Sequence, residues 1–285
     1  EWLIVAIAAL PLWLSGCQAG FFGAVNLARD GGATLDQAGL IYAPTQQLRL
    51  DIYRPASAAS DAPVLLFYYG GSWRNGQRQW YRFVGDAFAR LGAITVIADY
   101  RTFPEAPFPV FMSDAAAAVA WVQGHRAQLR SDGPLILAGH SAGAHIAALL
   151  ATDPSYLQAA GVDPGVLSGV IGLAGPYDFL PIRSREVREV FVDAAGAAAA
   201  QPVSHVSAAS PPFLLIHGLA DDTVWPRNSE SLARSLREHG VAAEVQWLPA
   251  VTHVGLLFAL GKDDALGMQL DQMITQWLDG RRVQP

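Results

Sequence analysis

Five residues, Gly139-His140-Ser141-Ala142-Gly143, constrain this chain more than any other stretch. Just before them, Pro134-Leu135-Ile136-Leu137-Ala138 is a short apolar run, the pattern of a parallel strand buried on both faces. Just after them, Ala144 to Ala151 consists largely of good helix formers. A serine on so sharp a turn holds a strained backbone, and its neighbours must lack side chains if strand and helix are to approach. The reading places Ser141 Oγ at the carboxyl end of a strand and the amino end of a helix, where developing negative charge is favoured. G-x-S-x-G alone is a common pattern; the strand–turn–helix context makes it specific.

The rest of the chain repeats that alternation. Short strands are expected at Leu40–Ala43 and, half-exposed, at Leu48–Arg54. Inner strands follow at Val64–Tyr69, Ala93–Ala98, Gly169–Gly175, Phe213–Gly218 and Ala243–Leu248. Helices are expected at Trp80–Leu91, Phe111–Leu129, Asn228–His239 and Asp264–Leu278. Strands alternating with helices define an α/β fold: a mostly parallel sheet of about eight strands with helices on both faces. Pro176 to Pro211 is long and irregular, the mark of a lid or binding insertion, with a short helix expected near Ser184–Val192 and a loop or lid at the alanine run 194–200. No linker divides the apolar segments, so residues 38–285 read as a single catalytic domain.

A hydrophobic content of 52% against 15% charged residues allows a large core. A net charge of −6 with no basic run argues against nucleic acid as a partner. The one cysteine rules out a disulfide framework and a cysteine-based zinc cluster. It also has a telling position. Leu3 to Leu14 is too short to span a bilayer but suits the apolar region of a signal peptide, and Leu14-Ser15-Gly16-Cys17 resembles a bacterial lipoprotein signal. A basic leader and an initiating Met do not precede it in this chain, so a few upstream residues are expected. The expectation is a signal-peptide-like segment at 1–16, lipidation at Cys17 with a tether at 17–37, and a membrane-anchored protein on the exported side. Several acyl chains on one residue would anchor stably.

A serine hydroxyl is a poor nucleophile until a base within hydrogen-bond reach takes its proton and a third group orients the base. In an open parallel sheet those groups come from loops at the carboxyl ends of strands. Two loops qualify, His217 to Val224 and Pro249 to Gly255. They give the order Ser141, Asp221, His253, with Asp222 an alternative to Asp221 that spacing does not exclude. Of seven histidines, only His239 and His253 follow the aspartate loop, and His239 sits at a helix end before Gly240. His140 and His145 read as packing or hydrogen-bonding residues and His217 as a brace for its loop, while His125 and His205 carry no motif. Oxyanion donors are expected at the Ala142 amide and in the Gly70-Gly71-Ser72-Trp73 turn, at Gly71 or Ser72. Trp73, Tyr177 and Phe179 are candidates for lining a substrate pocket. The scheme calls for no metal and no organic cofactor.

These stretches together carry a resemblance. Tyr69-Gly70-Gly71-Ser72-Trp73, Asp99-Tyr100-Arg101, Gly139–Gly143, the Asp221-Asp222-Thr223-Val224 loop and Thr252-His253 resemble the α/β-hydrolase carboxylesterases related to hormone-sensitive-lipase-like esterases and to kynurenine formamidase. The resemblance runs from about Leu48 to the C-terminus and implies an α/β-hydrolase fold, with Asp221 as the triad acid. It implies a serine hydrolase acting on a small uncharged ester, with an arylformamidase on the same triad as the alternative. A non-catalytic binding protein of the same fold ranks below both, since all three triad residue types are present in order. One departure stands out: the family usually has His before the two glycines, where this chain has Tyr69. That leaves open how the turn is held. Neither oligomeric state nor acyl-chain preference is legible.

Overall fold

The computed structural model describes residues 15–28 and 34–282. Among the described residues eight strands join one sheet in the order β1-β2-β4-β3-β5-β6-β7-β8. In chain order they are β1 (Thr34–Ala43), β2 (Leu48–Arg54), β3 (Val64–Tyr68), β4 (Ile94–Ala98), β5 (Leu135–His140), β6 (Leu167–Leu173), β7 (Phe213–Gly218) and β8 (Ala243–Leu248). β1 and β2 are antiparallel to their neighbours, and β4, β3, β5, β6, β7 and β8 run parallel. The order reverses at β3, which leads to β4 on one side while β5 lies on the other; ligands of open α/β sheets bind at the carboxyl ends beside such a switch point.

The helices pack around this sheet. They are α1 (Ser15–Ala28), α2 (Arg82–Arg90), α3 (Val110–Gly124), α4 (Arg126–Leu129), α5 (Ala142–Thr152), α6 (Ser155–Ala159), α7 (Arg185–Val190), α8 (Ala194–Ala199), α9 (Arg227–Glu238), α10 (His253–Ala259) and α11 (Ala265–Arg282). Every residue of β3, β4, β5 and β7 is buried, as their unbroken apolar runs require. The helical run expected at Phe111–Leu129 is broken at His125, where α3 ends and α4 begins.

Three expectations are corrected. β2 is not half-exposed: only Arg49 faces solvent, because Asp51 turns inward to meet the Arg78 guanidinium at 2.8 Å. An alternating polar residue can be buried when an opposite charge is buried with it. The segment 17–37 is not simply a tether. It holds α1, whose Phe22 stacks on Trp80 with ring centroids 5.3 Å apart, and the start of β1. The alanine run 194–200 is not a loop, since Ala194–Ala199 forms α8, capped where the Asp193 carboxylate accepts the Gly196 N–H at 2.7 Å. The signal-peptide reading of 1–16 falls almost wholly outside the described residues, as does the Cys17 side chain. Among the described residues no helix is long and apolar enough to cross a membrane.

Candidate active site

Ser141 stands where β5 gives way to α5, with φ 55° and ψ −124°. That conformation costs a residue with a Cβ on the order of 1–3 kcal/mol. Close packing holds it. A Cβ on Gly143 would lie 1.9 Å from the Tyr68 carbonyl oxygen, so only glycine lets the first turn of α5 press onto the end of β3. The Ser141 N–H donates to the Leu173 carbonyl at 2.9 Å, which ties the turn to β6.

Residues far apart in sequence meet at this serine. Ser141 Oγ lies 2.9 Å from His253 Nε2, and His253 Nδ1 lies 2.7 Å from Asp221 Oδ2. A carboxylate on Nδ1 holds the proton there, so Nε2 is free to accept the serine O–H. His253 is brought into place by Thr252, whose hydroxyl accepts the Gly255 N–H and starts α10 after the short turn that follows β8. Geometry also separates the two aspartates. Asp221 is buried and faces His253; Asp222 is exposed and its carboxylate accepts only the Thr223 hydroxyl, at 3.4 Å, among the described residues. Burial alone would raise the Asp221 pKa. Hydrogen bonds from His217 and His253, the adjacent His253 charge and the Val224 N–H outweigh it, and the carboxyl is held well below its ordinary range.

His217 is a further support for that carboxylate. Its Nε2 faces two acceptors, the Val224 carbonyl at 2.8 Å and Asp221 Oδ2 at 3.3 Å, while its Nδ1 accepts the Ser229 hydroxyl at 2.7 Å. This is the loop brace the sequence reading assigned to it, and it reaches the site itself. His140, read as a packing or hydrogen-bonding residue, donates from Nε2 to the His253 carbonyl at 3.1 Å. Burial pushes its pKa down to about 3, so it stays neutral beside His253.

The turn after β3 runs through three residues of positive φ: Gly71 at 127°, Ser72 at 55° and Trp73 at 58°. A Cβ on Gly71 would meet the Asn75 carbonyl oxygen at 2.0 Å. The Gly71 carbonyl accepts the N–H groups of Arg74 and Asn75, so this residue shapes the turn. Ser72 and Ala142 line the cavity beside Ser141, whereas Gly71 does not. Ala142 begins α5, where the first amides have no partner within the helix.

Tyr69, in the place of the family's usual histidine, holds the turn in another way. Its ring is sandwiched between Tyr100 and Tyr81, at centroid distances of 4.7 and 5.3 Å. Its hydroxyl donates to Asp99 Oδ1 at 3.3 Å, and Asp99 in turn pairs with Arg78. The Tyr100 hydroxyl donates back to the Tyr69 carbonyl at 2.8 Å. The turn is braced by stacked rings and a part-buried ion pair.

The cavity over Ser141 has a volume of about 360 Å³ and is mainly apolar, with Trp73, Phe179 and Val187 among its walls. Trp73 and Phe179 stack at 6.0 Å. Phe179 comes from the 176–211 segment and lines the cavity. Tyr177 is a correction. It is fully buried and does not line the cavity; its ring lies beneath the site against Gly172 and Gly175, where a Cβ would come within 2.1 and 2.5 Å of it. Its backbone N–H is turned to Asn228 Oδ1, and the side chain follows inward. The sequence reading also left His145 without a specific bond. Its Nδ1 accepts the Trp73 indole N–H at 3.2 Å and its Nε2 donates to the Ala200 carbonyl at 2.7 Å, so one imidazole joins the turn, α5 and the 176–211 segment. Nothing local in sequence signals that bridge.

A sheet of this order, with a serine on a strand–helix turn and a histidine after the last strand, defines the α/β-hydrolase fold. Residues 50–236 match the BD-FAE family, and the chain belongs to it. The chain is similar to Esterase LipC of Mycobacterium tuberculosis, with 32% identity over 226 residues covering 70% of this chain and 54% of that one. It is similar to kynurenine formamidase of Danio rerio, with 25% identity over 232 residues covering 79% and 77% of the two chains. Among solved structures it is similar to Thermogutta terrifontis esterase 2 with propionate bound, with a TM-score of 0.71, 25% identity and coverage of 88% and 94%. The chain spans about half the length of the first curated relatives it matches, 50% of two and 54% of a third.

Proposed function

We propose that this chain cleaves carboxylic esters through an acyl-enzyme. The observation that carries the reading is the run of contacts from Ser141 Oγ to His253 Nε2 at 2.9 Å and from His253 Nδ1 to Asp221 at 2.7 Å, opening on an apolar cavity. Ser141 attacks the ester carbonyl as His253 takes its proton. The amides of Ser72 and Ala142 are the candidate donors to the oxyanion. Asp221 keeps the imidazole in the tautomer that can accept a proton and stabilises the imidazolium that follows. His253 then protonates the leaving alcohol. Water, activated by the same imidazole, releases the acid and restores Ser141. The second reading, an arylformamide as substrate, is favoured by the similarity to kynurenine formamidase and uses the same steps with an amine as leaving group.

Hydrolysis of a p-nitrophenyl ester series beside an aryl formamide, by wild type and Ser141→Ala, tests both. Ester cleavage lost by a factor of about 10⁴ or more in a folded Ser141→Ala protein is expected. Preference for the formamide would move the chain to the second reading. Undiminished turnover by the variant would overturn the assignment of Ser141.

A further inference from the structure

The rim of the cavity carries a feature that ester cleavage does not use. Trp225, 44% exposed, lies between the loop after β7 and the start of α9. The Arg183 guanidinium sits 5.1 Å from its ring centre and that of Arg227 sits 5.0 Å from it. All three side chains line the cavity that holds Ser141. The neighbouring arginines are otherwise engaged: Arg74 and Arg185 pair with Glu189, and Arg188 donates to the carbonyls of Ile182 and Arg183. Arg183 and Arg227 form no ion pair with a carboxylate among the described residues. Asp222 is the carboxylate among the residues lining this cavity, against the two arginines; Arg227 also borders a neighbouring cavity with Asp178, Glu230 and Arg234.

We propose that Arg183 and Arg227, ordered on Trp225, form a subsite for a carboxylate carried by the substrate at the end remote from the scissile bond. The proposal rests on the ester-cleaving reading and replaces the uncharged ester expected from the sequence with a half-ester of a dicarboxylic acid or an ester of similar charge. Stacking on an indole face holds a guanidinium plane without consuming its N–H donors, and the planar fork then matches a carboxylate. An apolar cavity next to the fork suits a hydrocarbon spacer between the two acyl groups. A guanidinium–carboxylate pair of this kind makes charge-assisted, two-point hydrogen bonds, which are stronger than those between neutral groups.

The test compares monoethyl adipate with diethyl adipate, which differ in charge at one end, together with p-nitrophenyl acetate as a reporter of the triad. The wild type should show a higher kcat/KM for the monoanion, and the double variant Arg183→Gln/Arg227→Gln should lower the monoanion-to-diester ratio about tenfold or more. Arg→Lys at both positions should keep part of the preference, since the charge remains and the fork is lost. A ratio unchanged in the glutamine variant overturns the subsite. A wild type that turns over p-nitrophenyl acetate but neither adipate also overturns it, while one that turns over none of the three overturns the ester-cleaving reading itself.

Discussion

On one side of Ser141 the wall is made of β3, β5 and α5. All the residues of α5 except Ala151 are buried, and glycines let it lie against the strands. On the facing side the wall comes from 176–211, where α7 and α8 have six residues each and most side chains of α7 are exposed. The first wall holds a strained serine, and strain persists only where its surroundings leave no alternative. The second touches whatever lies in the cavity and is joined to the first by the His145 bridge and by the rings of Phe179 and Phe191 against Trp73 and His145. On the proposed reading, the packed wall makes and breaks the bond and the inserted one selects among substrates.

The contrast breaks most readily at Gly143. Gly143→Ala should prevent a native elbow, because its Cβ would sit 1.9 Å from backbone that cannot move without shifting β3. Loss of several kcal/mol in urea unfolding, or no soluble protein, is the expected result. A Gly143→Ala protein with native stability and turnover would show that the wall is less rigid than its packing.

His145 tests the bridge between the walls. Burial pushes its pKa down to about 4, so the folded state favours the neutral ring. An unfolded chain binds the proton near pH 6.5. The contribution to stability is therefore full above pH 6.5 and is lost as pH falls from there through about 4, a change on the order of 3 kcal/mol. His140, with its pKa near 3, adds a loss of the same sign extending lower. His145→Gln can accept from Trp73 and donate to Ala200, and should flatten the urea midpoint between pH 6.5 and 4 by its share. Identical slopes in wild type and variant would remove His145 from that role.

The smallest effect is expected on the inserted wall. Phe179→Ala enlarges the cavity without touching the relay and should reorder acyl-chain preference in kcat/KM by about tenfold or less. An equal loss for every chain length would place Phe179 in support of the turn instead, through its stacking on Trp73.

These outcomes bear on what could be read from the chain alone. The inner strands, Ser141 and His253 were legible because their signals are local: unbroken apolar runs, a glycine turn, and a histidine beyond the last strand. Asp221 against Asp222 was open by spacing, because adjacent carboxylates differ only in which one the folded loop turns toward His253. Tyr177 was misplaced for the same kind of reason. An aromatic in a long loop looks like a pocket wall until the glycines beneath it, Gly172 and Gly175, are seen to leave room for its ring. The burial of β2 needed a partner, Arg78, from the segment beyond β3.

Sequence by itself determined the alternation of strand and helix, the elbow and the residue types of the relay, since backbone propensity and hydrophobic period act within a few residues. Tertiary structure alone decided which aspartate meets the histidine, how Tyr69 holds the turn without the family's histidine, that His145 joins the two walls, and that Arg183 and Arg227 meet over Trp225. Each of those depends on at least one contact between residues 30 or more positions apart, and burial and charge act through space.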